Sequence, residues 1–384
     1  MKRAVVLGLM GQYPFAGMAW QVIHHVLGFE RLGVRCYYVE NSGAPPYSPR
    51  LQSVTDSAAE NVRFLADTFA RHGLADRWVY RDSLTGEWPG MGREKAEELL
   101  READVVVNLC GASRPDPGEK RKGCLVYIET DPVLEQVKLA QGDTETRAFL
   151  DAHDVLFTYG VRIGDPACPV PSGGIAWRKT HPPVLVDLWE SAPPARAPWR
   201  TIATYRNKGK DVVLGGRAYH WSKHPNFERV MDLPQRTQER LEVALVTAGE
   251  SEVRERFLAS GWMLADPVAV SGDAEMYRRW IRASRGEFSV EKQDQTELKV
   301  GWFSDRSVCF LAAGRPCVLQ DTGFGARVPV GEGLLAWSTP EEALDCLERV
   351  ARDHPRHCAA ALRIAREYFD ASVLLPPILS AAGI

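Results

Sequence analysis

The sequence GWFSDRSVCFLAAGRPCVLQDTGFG, residues 301–325, predicts a helix, a buried strand and a polar loop in direct succession. Ser304 is a typical helix N-cap, and Gly314 is a typical helix stop. The apolar residues 316–319 suit a strand that is buried in a parallel sheet, and the loop begins at Asp321. Ligands bind at the carboxyl ends of such strands, and a helix start attracts anions. The stretch therefore predicts an α/β fold with a phosphate or diphosphate site, unless the turn serves packing alone.

The amino-terminal half predicts a parallel sheet of its own. Residues 4–9 are an apolar strand, residues 18–32 an amphipathic helix that ends at Gly33, and residues 34–40 a second strand. This βαβ order implies parallel strands joined by a right-handed crossover. Further buried strands are expected at 104–109, 124–129 and 155–158.

A proline-rich segment, residues 183–200, separates this half from a second α/β pattern. We therefore expect a first domain over 1–190, a linker over 191–200 and a second domain from residue 201. Its strands are expected at 201–204, 241–246, 262–264, 287–290 and 333–336, and its helices at 226–231, 252–260, 273–284, 340–354 and 356–369. Two doubly wound, Rossmann-like domains would enclose a cleft, where ligands commonly bind.

Bulk composition narrows the class of protein. The chain has 384 residues, more than one ordinary core accommodates, and a formal net charge of −3, which disfavours a general polyanion binder. Neither an apolar run of about 18 residues nor a signal-peptide pattern is visible, so a cytoplasmic location is expected. The eight cysteines form no C-x-x-C pair, so neither a zinc site nor a disulfide framework is indicated.

The common nucleotide and hydrolase motifs are missing. The loop after the first strand reads GLMGQYP, residues 8–14, and lacks the second close glycine of the dinucleotide-binding motif G-x-G-x-x-G. The sequence contains neither a G-x-x-x-x-G-K-[ST] phosphate loop nor a G-x-S-x-G nucleophile elbow. Dinucleotide enzymes, P-loop enzymes and serine hydrolases are therefore disfavoured.

Four stretches resemble a known family. They are GQYPFAGMAWQVIHHVLGFERLG from residue 11, VYIETDPVLEQVKLA from residue 126, DAHDVLFTYG from residue 151 and GWFSDRSVCFLAAGRPCVLQDTGF from residue 301. They are similar to a little-characterised group of bacterial glycosyltransferases with the GT-B fold, over nearly the whole chain. The resemblance implies two Rossmann-like domains that face a central cleft, with the nucleotide sugar on the second and the acceptor on the first. It also implies a second domain over 201–365 and a final helix, residues 366–384, that crosses back to the first domain.

The resemblance assigns donor-binding roles to three regions. Residues 314–318 are similar to the G-x-P-V-V strand that precedes the diphosphate-side loop. Glu287 resembles the first acid of the E-x7-E signature, and Arg206 with Lys208 resembles the basic R…KG loop that meets the diphosphate. The diphosphate-side loop itself comprises Asp321, Thr322, Gly323 and Phe324.

The chain departs from the family pattern at two places. Cys309 replaces the second acid of the signature, so the usual contact with the ribose or sugar would come from Asp305 or Ser307. The histidine that many inverting members carry after the first strand is also missing. The cleft loop at that place offers Gly11, Gln12 and Tyr13.

Departure of a sugar from a diphosphate develops negative charge, which a site without a metal ion must neutralise with cations and backbone dipoles. Arg206, Lys208, Arg306 and the helix start at Ser304 suit this task.

Inverting transfer also needs a base at the acceptor hydroxyl, whereas retaining transfer does not. Asp131 is the best candidate, because it directly follows the strand 124–129 and so lies at the carboxyl edge of the sheet. Its alternative role is that of a cap for the next helix, with Pro132 in the first helical position.

The leading hypothesis is a glycosyltransferase that moves a hexose from a nucleoside-diphosphate sugar, with UDP favoured, to a hydroxyl acceptor, without metal or cofactor. The alternatives are a nucleotide-sugar 2-epimerase, a non-catalytic module that binds a nucleotide or glycan, and a glycosyltransferase that acts on a modified DNA base. The basic segment 201–227 favours DNA, and the negative net charge opposes it. The nucleotide, sugar, acceptor, stereochemistry and oligomeric state stay open.

Overall fold

A computed structural model describes residues 1–115, 118, 120–194 and 196–384. It contains two large parallel sheets, one in each half of the chain. The predicted α/β class with two Rossmann-like domains is therefore confirmed. Ala195, which belongs to the predicted linker, lies outside the described residues.

The first half forms a seven-stranded parallel sheet with helices on its faces. The strands of this half of the chain are β1 Arg3–Leu7, β2 Arg35–Glu40, β3 Tyr47–Ser48, β4 Ser53–Val54, β5 Trp78–Tyr80, β6 Val105–Leu109, β7 Cys124–Glu129, β8 Val155–Thr158 and β9 Arg178–Lys179. Its helices are α1 Ala16–Arg31, α2 Ala59–Arg71, α3 Arg93–Glu102, α4 Leu134–Ala140 and α5 Thr144–Asp151. The sheet order is β5-β2-β1-β6-β7-β8-β9, and β3 with β4 forms a separate hairpin. The central strands are apolar and buried, as expected of a sheet covered on both faces.

The second half forms a six-stranded parallel sheet in the order β14-β13-β10-β15-β16-β17. The strands of this half are β10 Trp199–Thr204, β11 Val212–Leu214, β12 Arg217–Tyr219, β13 Leu241–Val246, β14 Met263–Ala265, β15 Gly286–Ser289, β16 Cys317–Gln320 and β17 Leu334–Trp337. The helices are α6 His224–Arg229, α7 Ser251–Ala259, α8 Pro267–Ser271, α9 Ala274–Arg282, α10 Gln293–Leu298, α11 Asp305–Ala312, α12 Pro340–Arg352, α13 His354–Ile364 and α14 Ala371–Ala381.

Several local features differ from the sequence-based expectation. The antiparallel hairpin β11–β12 was not expected, although its turn residues Gly215 and Gly216, with φ of +58° and +79°, are typical of a two-residue hairpin turn. The last helix begins at Ala371 rather than at residue 366, because a π-helical turn, Ala365–Phe369, ends α13. Asp370 then caps α14 by accepting a hydrogen bond from Ser372 N at 2.9 Å.

Helix α14 packs against α1 of the first half. At Gly28 an added Cβ would lie 2.3 Å from a Leu375 methyl group and 3.1 Å from Ala371 Cβ. The chain crosses between the halves beside this contact, where Val184 N donates to Phe369 O at 2.8 Å. One hydrophobic cluster accordingly runs from α1 through α11 to α14.

The linker is held by a buried arginine. Arg315 lies in the turn that follows α11. Its Nη2 donates to Ser191 Oγ at 2.8 Å and to Ala192 O at 2.9 Å. It also donates to Ala313 O at 2.7 Å. The start of the linker is thereby fixed to the second half.

Within the described part of the chain, no helix is long and apolar enough to cross a membrane.

We expect Gly28→Ala to destabilise the protein by about 1–2 kcal/mol, because overpacking against Leu375 outweighs the better helix propensity of alanine. Gly17, in the same helix, is the matched control, since an added Cβ there meets only Tyr277 Oη at 4.0 Å. Gly17→Ala should leave stability unchanged or raise it by up to about 1 kcal/mol. Urea unfolding measures both, and equal effects of the two substitutions would contradict the close packing of α14 on α1.

Candidate functional site

The carboxyl edges of the two sheets meet in a polar contact. The loop after β7 binds the second half twice: Trp302 Nε1 donates to Thr130 O at 2.8 Å, and Gln295 Nε2 donates to Pro132 O at 3.0 Å. The loop after β8 adds a backbone hydrogen bond from Arg162 N to Val300 O at 2.9 Å. Loops from both halves therefore enclose the place where ligands of parallel sheets bind.

Asp131 is the centre of this contact. Its carboxylate accepts hydrogen bonds from Lys292 Nζ at 2.7 and 2.9 Å and from Trp221 Nε1 at 2.6 Å, and Lys210 Nζ lies 3.6 Å away. Lys292 Nζ and Lys210 Nζ also lie 4.3 and 4.9 Å from the centre of the Trp221 ring. Burial alone raises the pKa of Asp131, but the two lysines and the Trp221 bond outweigh burial and lower it. In this conformation the predicted base is an anion paired with two cations.

The proposed capping role of Asp131 is wrong. The N-cap of α4 is Val133, whose N–H donates to Gln136 Oε1 at 2.7 Å, so the helix begins two residues later than Pro132 would require. Val133 has a φ of +106°, which is strained for a β-branched residue and costs roughly 1–3 kcal/mol. Cys110 after β6 and Lys299 after α10 also have positive φ, at +52° and +48°. Backbone strain thus occurs in loops at the same contact, as is common at functional sites.

Glu287 is buried inside the second half and Arg306 is paired with it, so neither side chain is free to contact a donor in this structure. Glu287 is fully buried in β15, and its carboxylate accepts a hydrogen bond from Arg306 Nε. Arg306 Nη2 also donates to Ser289 Oγ at 2.7 Å, and Nη1 donates to Ile202 O at 3.0 Å. The physical reason is position: Glu287 is the second residue of β15 and not at its carboxyl end. In the E-x7-E signature, seven residues separate the two acids. The place of the first acid, counted back from Cys309, is therefore Gly301 and not Glu287.

The loop after β16 is largely closed by its own contacts. Asp321 Oδ2 pairs with Lys299 Nζ at 2.7 Å, and Asp321 Oδ1 accepts from Gly323 N at 2.8 Å. Thr322 is 1% exposed and donates to Trp302 O, while Phe324, also 1% exposed, packs edge-on against Phe303. A cavity of only about 10 Å³ remains beside them. Thr322 and Phe324 therefore do not line an open donor site, because they anchor this loop to residues 302–303.

The start of α11 faces the first half. Ser304 caps the helix as predicted, with its Oγ accepting from Arg306 N at 3.2 Å. Asp305 accepts a hydrogen bond from Gln21 Nε2 of α1 at 3.1 Å, so it contacts the opposite domain. Burial raises the pKa of Asp305 to about 7, and the Gln21 bond only partly offsets this. Of the residues expected to bind the donor, Ser304 and Asp305 thus lie at the contact between the two halves.

The cleft loop after β1 is held by a buried carboxylate. Gly11 N and Gln12 N donate to Glu40 Oε2 and Oε1 at 2.6 and 2.5 Å. Burial raises the pKa of Glu40 to about 7. Gln12 is buried, whereas Tyr13 is 37% exposed. Tyr13 is accordingly the member of the predicted loop that a ligand can reach.

The basic loop after β10 turns its predicted cations outward. Arg206 pairs with Glu250 at 3.3 Å, and Lys208 is exposed. Lys210, two residues further on, reaches Asp131 instead.

Sequence reasoning missed Lys210, Lys292, Trp221 and Gln21 as site residues. Lys292 could have been found, because it follows β15 at the carboxyl edge, where Asp131 was found after β7.

Comparison with known proteins relates the chain to solved structures alone. No family model matches the sequence, and a search of curated proteins finds no similar one. An α-glucosyltransferase in complex with UDP and a 13-mer DNA containing an HMU base has a TM-score of 0.61 at 11% identity, over 100% of this chain and 99% of that one. Anabaena HepE, in complex with UDP and glucose, has a TM-score of 0.57 at 11% identity, over 100% of both chains.

A third similar structure is AviGT4, a glycosyltransferase involved in avilamycin A biosynthesis. Its TM-score is 0.53 at 14% identity, over 100% of this chain and 97% of that one. At these identities the likeness establishes the fold. The chain has the two-domain GT-B fold that its sequence resemblance implied.

Asp305 and Asp131 should give opposite pH signatures. The folded pKa of Asp305 is about 7, above its unfolded value, so its contribution to stability is complete below about pH 4 and is lost as the pH rises through 7. Asp305→Asn should therefore raise the unfolding free energy relative to wild type by an amount that grows from pH 4 to pH 7, to about 1–3 kcal/mol.

Asp131→Asn is the matched comparison. Its folded pKa is lowered, so its contribution is present above about pH 4 and is lost as the pH falls below that value. The difference from wild type should thus stay constant between pH 5 and pH 8. Urea unfolding at several pH values measures both variants, and a flat difference for Asp305→Asn would contradict its assignment as a carboxyl group that burial keeps protonated.

Proposed function

We propose that this protein is a glycosyltransferase that takes a hexose from a nucleoside-diphosphate sugar, with UDP favoured, and transfers it to a hydroxyl acceptor. The observation that carries the proposal is the pair of lysines, Lys210 and Lys292, which meet Asp131 where the carboxyl edges of the two sheets face each other. The GT-B fold supports it, and so do the ligands of its structural neighbours, which were solved with UDP, or with UDP and glucose.

The two lysines are suited to a diphosphate leaving group. Both come from loops of the second half, and Lys292 is only 12% exposed at its side chain, so its charge is screened little by water. Negative charge that develops on the leaving phosphate would be stabilised by such preorganised cations. We propose that they do this without a metal ion and without a cofactor. The exposed Arg206 and Lys208 are proposed to lie at the rim of the same site.

Asp131 is proposed to exchange partners during the reaction. The diphosphate of the donor would take over Lys210 and Lys292, which would release the Asp131 carboxylate. Removal of these cations raises the pKa of Asp131, because they lower it more than the Trp221 hydrogen bond does and burial raises it. A released Asp131 at the carboxyl edge of the first sheet could then accept the proton of an acceptor hydroxyl.

We propose a small-molecule or cell-envelope acceptor and a cytoplasmic location. The formal net charge of −3 disfavours DNA as the acceptor, although one structural neighbour was solved with DNA. Tyr13 is proposed as an acceptor contact because it is the exposed residue of the cleft loop.

A nucleotide panel tests the proposal. Thermal unfolding with UDP, GDP, ADP and TDP should show stabilisation by one of them, with UDP expected to act most strongly. Stabilisation by none would sink the proposal. Incubation of UDP-glucose or GDP-mannose without acceptor then separates the alternatives: slow release of free sugar supports a transferase, a changed sugar in the products indicates a 2-epimerase, and binding without bond cleavage indicates a non-catalytic module.

Lysine variants locate the diphosphate within this experiment. Lys210→Met and Lys292→Met should each weaken UDP binding by roughly 10- to 100-fold, the usual loss for a charge-assisted phosphate contact. Lys208→Met, in the same loop as Lys210, should change binding less than about threefold, because Lys208 is exposed and lies outside the contact. The reverse result would favour the R…KG assignment from the sequence.

Asp131→Asn should separate binding from chemistry. UDP should bind the variant at least as tightly as wild type, because an amide competes less well than a carboxylate for Lys210 and Lys292. Turnover should fall by roughly 10²- to 10⁴-fold, the range for removal of a general base. Calorimetry and product formation measure the two quantities, and unchanged turnover would rule out Asp131 as the base.

A further inference from the structure

The amino edge of the second sheet holds a basic cavity, at the opposite end of the strands from the contact around Asp131. The cavity has a volume of about 480 Å³, which lies within the usual range for sites that bind small molecules. It is lined by Arg196, Ala197, Gln238, Glu239, Arg240 and Arg285.

Three neighbouring parallel strands place the arginines side by side. Arg240 directly precedes β13, Arg285 directly precedes β15, and Arg196 lies three residues before β10, the strand between them. Backbone hydrogen bonds fix these strand starts, since Trp199 N donates to Arg240 O at 2.8 Å and Arg285 N donates to Pro198 O at 3.0 Å. Neighbouring strands are about 5 Å apart, so Arg240 and Arg285 leave the sheet about 10 Å from each other. Arginine side chains are long enough for all three guanidinium groups to reach one ligand.

The cavity carries more positive charge than its own residues neutralise. Arg285 Nε lies 2.8 Å from Glu239 Oε2, and both side chains are 18% exposed. The same oxygen of Glu239 also accepts a hydrogen bond from Trp199 Nε1 at 2.9 Å. The side chains of Arg196 and Arg240 have neither a hydrogen-bond partner nor an acidic partner among the described residues. Glu239 therefore compensates one of the three arginines, and two positive charges that repel each other are left unpaired.

The unpaired charges and the lining residues indicate the class of ligand. Arginine binds phosphate and carboxylate groups through two parallel hydrogen bonds. A phosphate monoester carries about −1.5 to −2 charges at pH 7, which matches the two unpaired arginines, whereas a carboxylate carries a single charge. Ala197 is the one apolar residue among the described lining residues, so neither a nucleobase nor a lipid tail would find an apolar surface there. A small phosphorylated molecule fits these constraints.

We propose that this cavity is a second anion site, which binds a small phosphorylated molecule through Arg196, Arg240 and Arg285. The site is independent of the proposed function, because it lies at the amino edge of the second sheet and the nucleotide sugar is assigned to the carboxyl edge. Arg196 belongs to the linker, whereas Arg240 and Arg285 belong to the sheet. A bound phosphate would therefore join the linker to the second domain, as Arg315 does at the start of the linker.

Titration calorimetry with inorganic phosphate tests the site. Wild-type protein should bind phosphate, and Arg196→Gln and Arg240→Gln should each weaken binding roughly 5- to 20-fold, because a charge-assisted hydrogen bond is lost at an exposed position. Both side chains are exposed and unpaired, so neither substitution should impair folding. The same losses should appear when the two substitutions are made in Lys292→Met, in which the contact around Asp131 has lost one of its cations.

Arg254→Gln is the matched control. Arg254 lies on α7, is exposed like Arg196 and Arg240, and does not line the cavity. Its substitution removes the same charge and should change phosphate binding less than about twofold.

The anion site would be overturned by a wild-type protein that binds no phosphate, by unchanged binding in either arginine variant, or by an equal loss in Arg254→Gln. Loss of all phosphate binding in Lys292→Met alone would likewise assign the phosphate to the contact around Asp131. UDP should bind Arg196→Gln and Arg240→Gln as tightly as wild type, and weaker UDP binding by them would contradict the separation of the two sites. The nucleotide panel does not depend on these arginines, so failure of the anion site and failure of the proposed function are distinguishable.

Discussion

The ammonium groups of Lys210 and Lys292 lie over the ring of Trp221 at the contact between the domains, and the Asp131 carboxylate pairs with both of them. Without Asp131 the charges of Lys210 and Lys292 would repel each other in a partly dehydrated place, where electrostatic interactions are stronger than in water. Much of the local structure serves this contact. The strained residue Val133 lies two positions after Asp131, the hairpin β11–β12 lies between Lys210 and Trp221 in the chain, and Lys292 follows β15.

Two sets of charged groups in the second half differ in where their partners lie. Arg306, Glu287, Glu291 and Lys223 form an internal network in which each charge has a partner within the same domain. Removal of one partner there would leave an unpaired buried charge and so would mainly affect folding. The set around Asp131 spans the two domains, because Lys210 and Lys292 belong to the second domain and the Asp131 carboxylate belongs to the first. An anionic group of a ligand can therefore replace the Asp131 carboxylate without disturbing the packing inside either domain.

The fold was accessible from the sequence because its signals are local. The N-cap at Ser304, the stop at Gly314 and the apolar run of β16 lie within a few residues of each other, and βαβ alternation fixes the parallel sheets. The site was only partly accessible. Asp131 and Lys292 are each recognisable as residues that follow a strand, but nothing local indicates that they pair across 161 positions.

Errors in the predicted site have physical causes as well. Glu287 has the residue type of the signature's first acid but not its spacing from Cys309, and β15 buries it against Arg306. Phe324 follows a polar loop in the sequence, yet its buried ring belongs to the core beside Phe303. Gln21 carries no signal at all, since a glutamine in an amphipathic helix is ordinary until the opposite domain is known.

Arg315 has a consequence for how the two domains can move. It fixes Ser191 and Ala192 to the second domain, and Arg278 and Arg282 of that domain also bind Leu188 O and Glu190 O, so a hinge in the first crossing would lie before Leu188. The second crossing, between α13 and α14, is tied to the first by the hydrogen bonds between Val184 and residues 369 and 371. Two neighbouring crossings that are hydrogen-bonded to each other would favour rotation of the domains about one axis over sliding. Rotation that opens the cleft would separate Asp131 from both lysines in one movement. The displacement would be greatest at the carboxyl edges of the sheets and smallest at the two crossings.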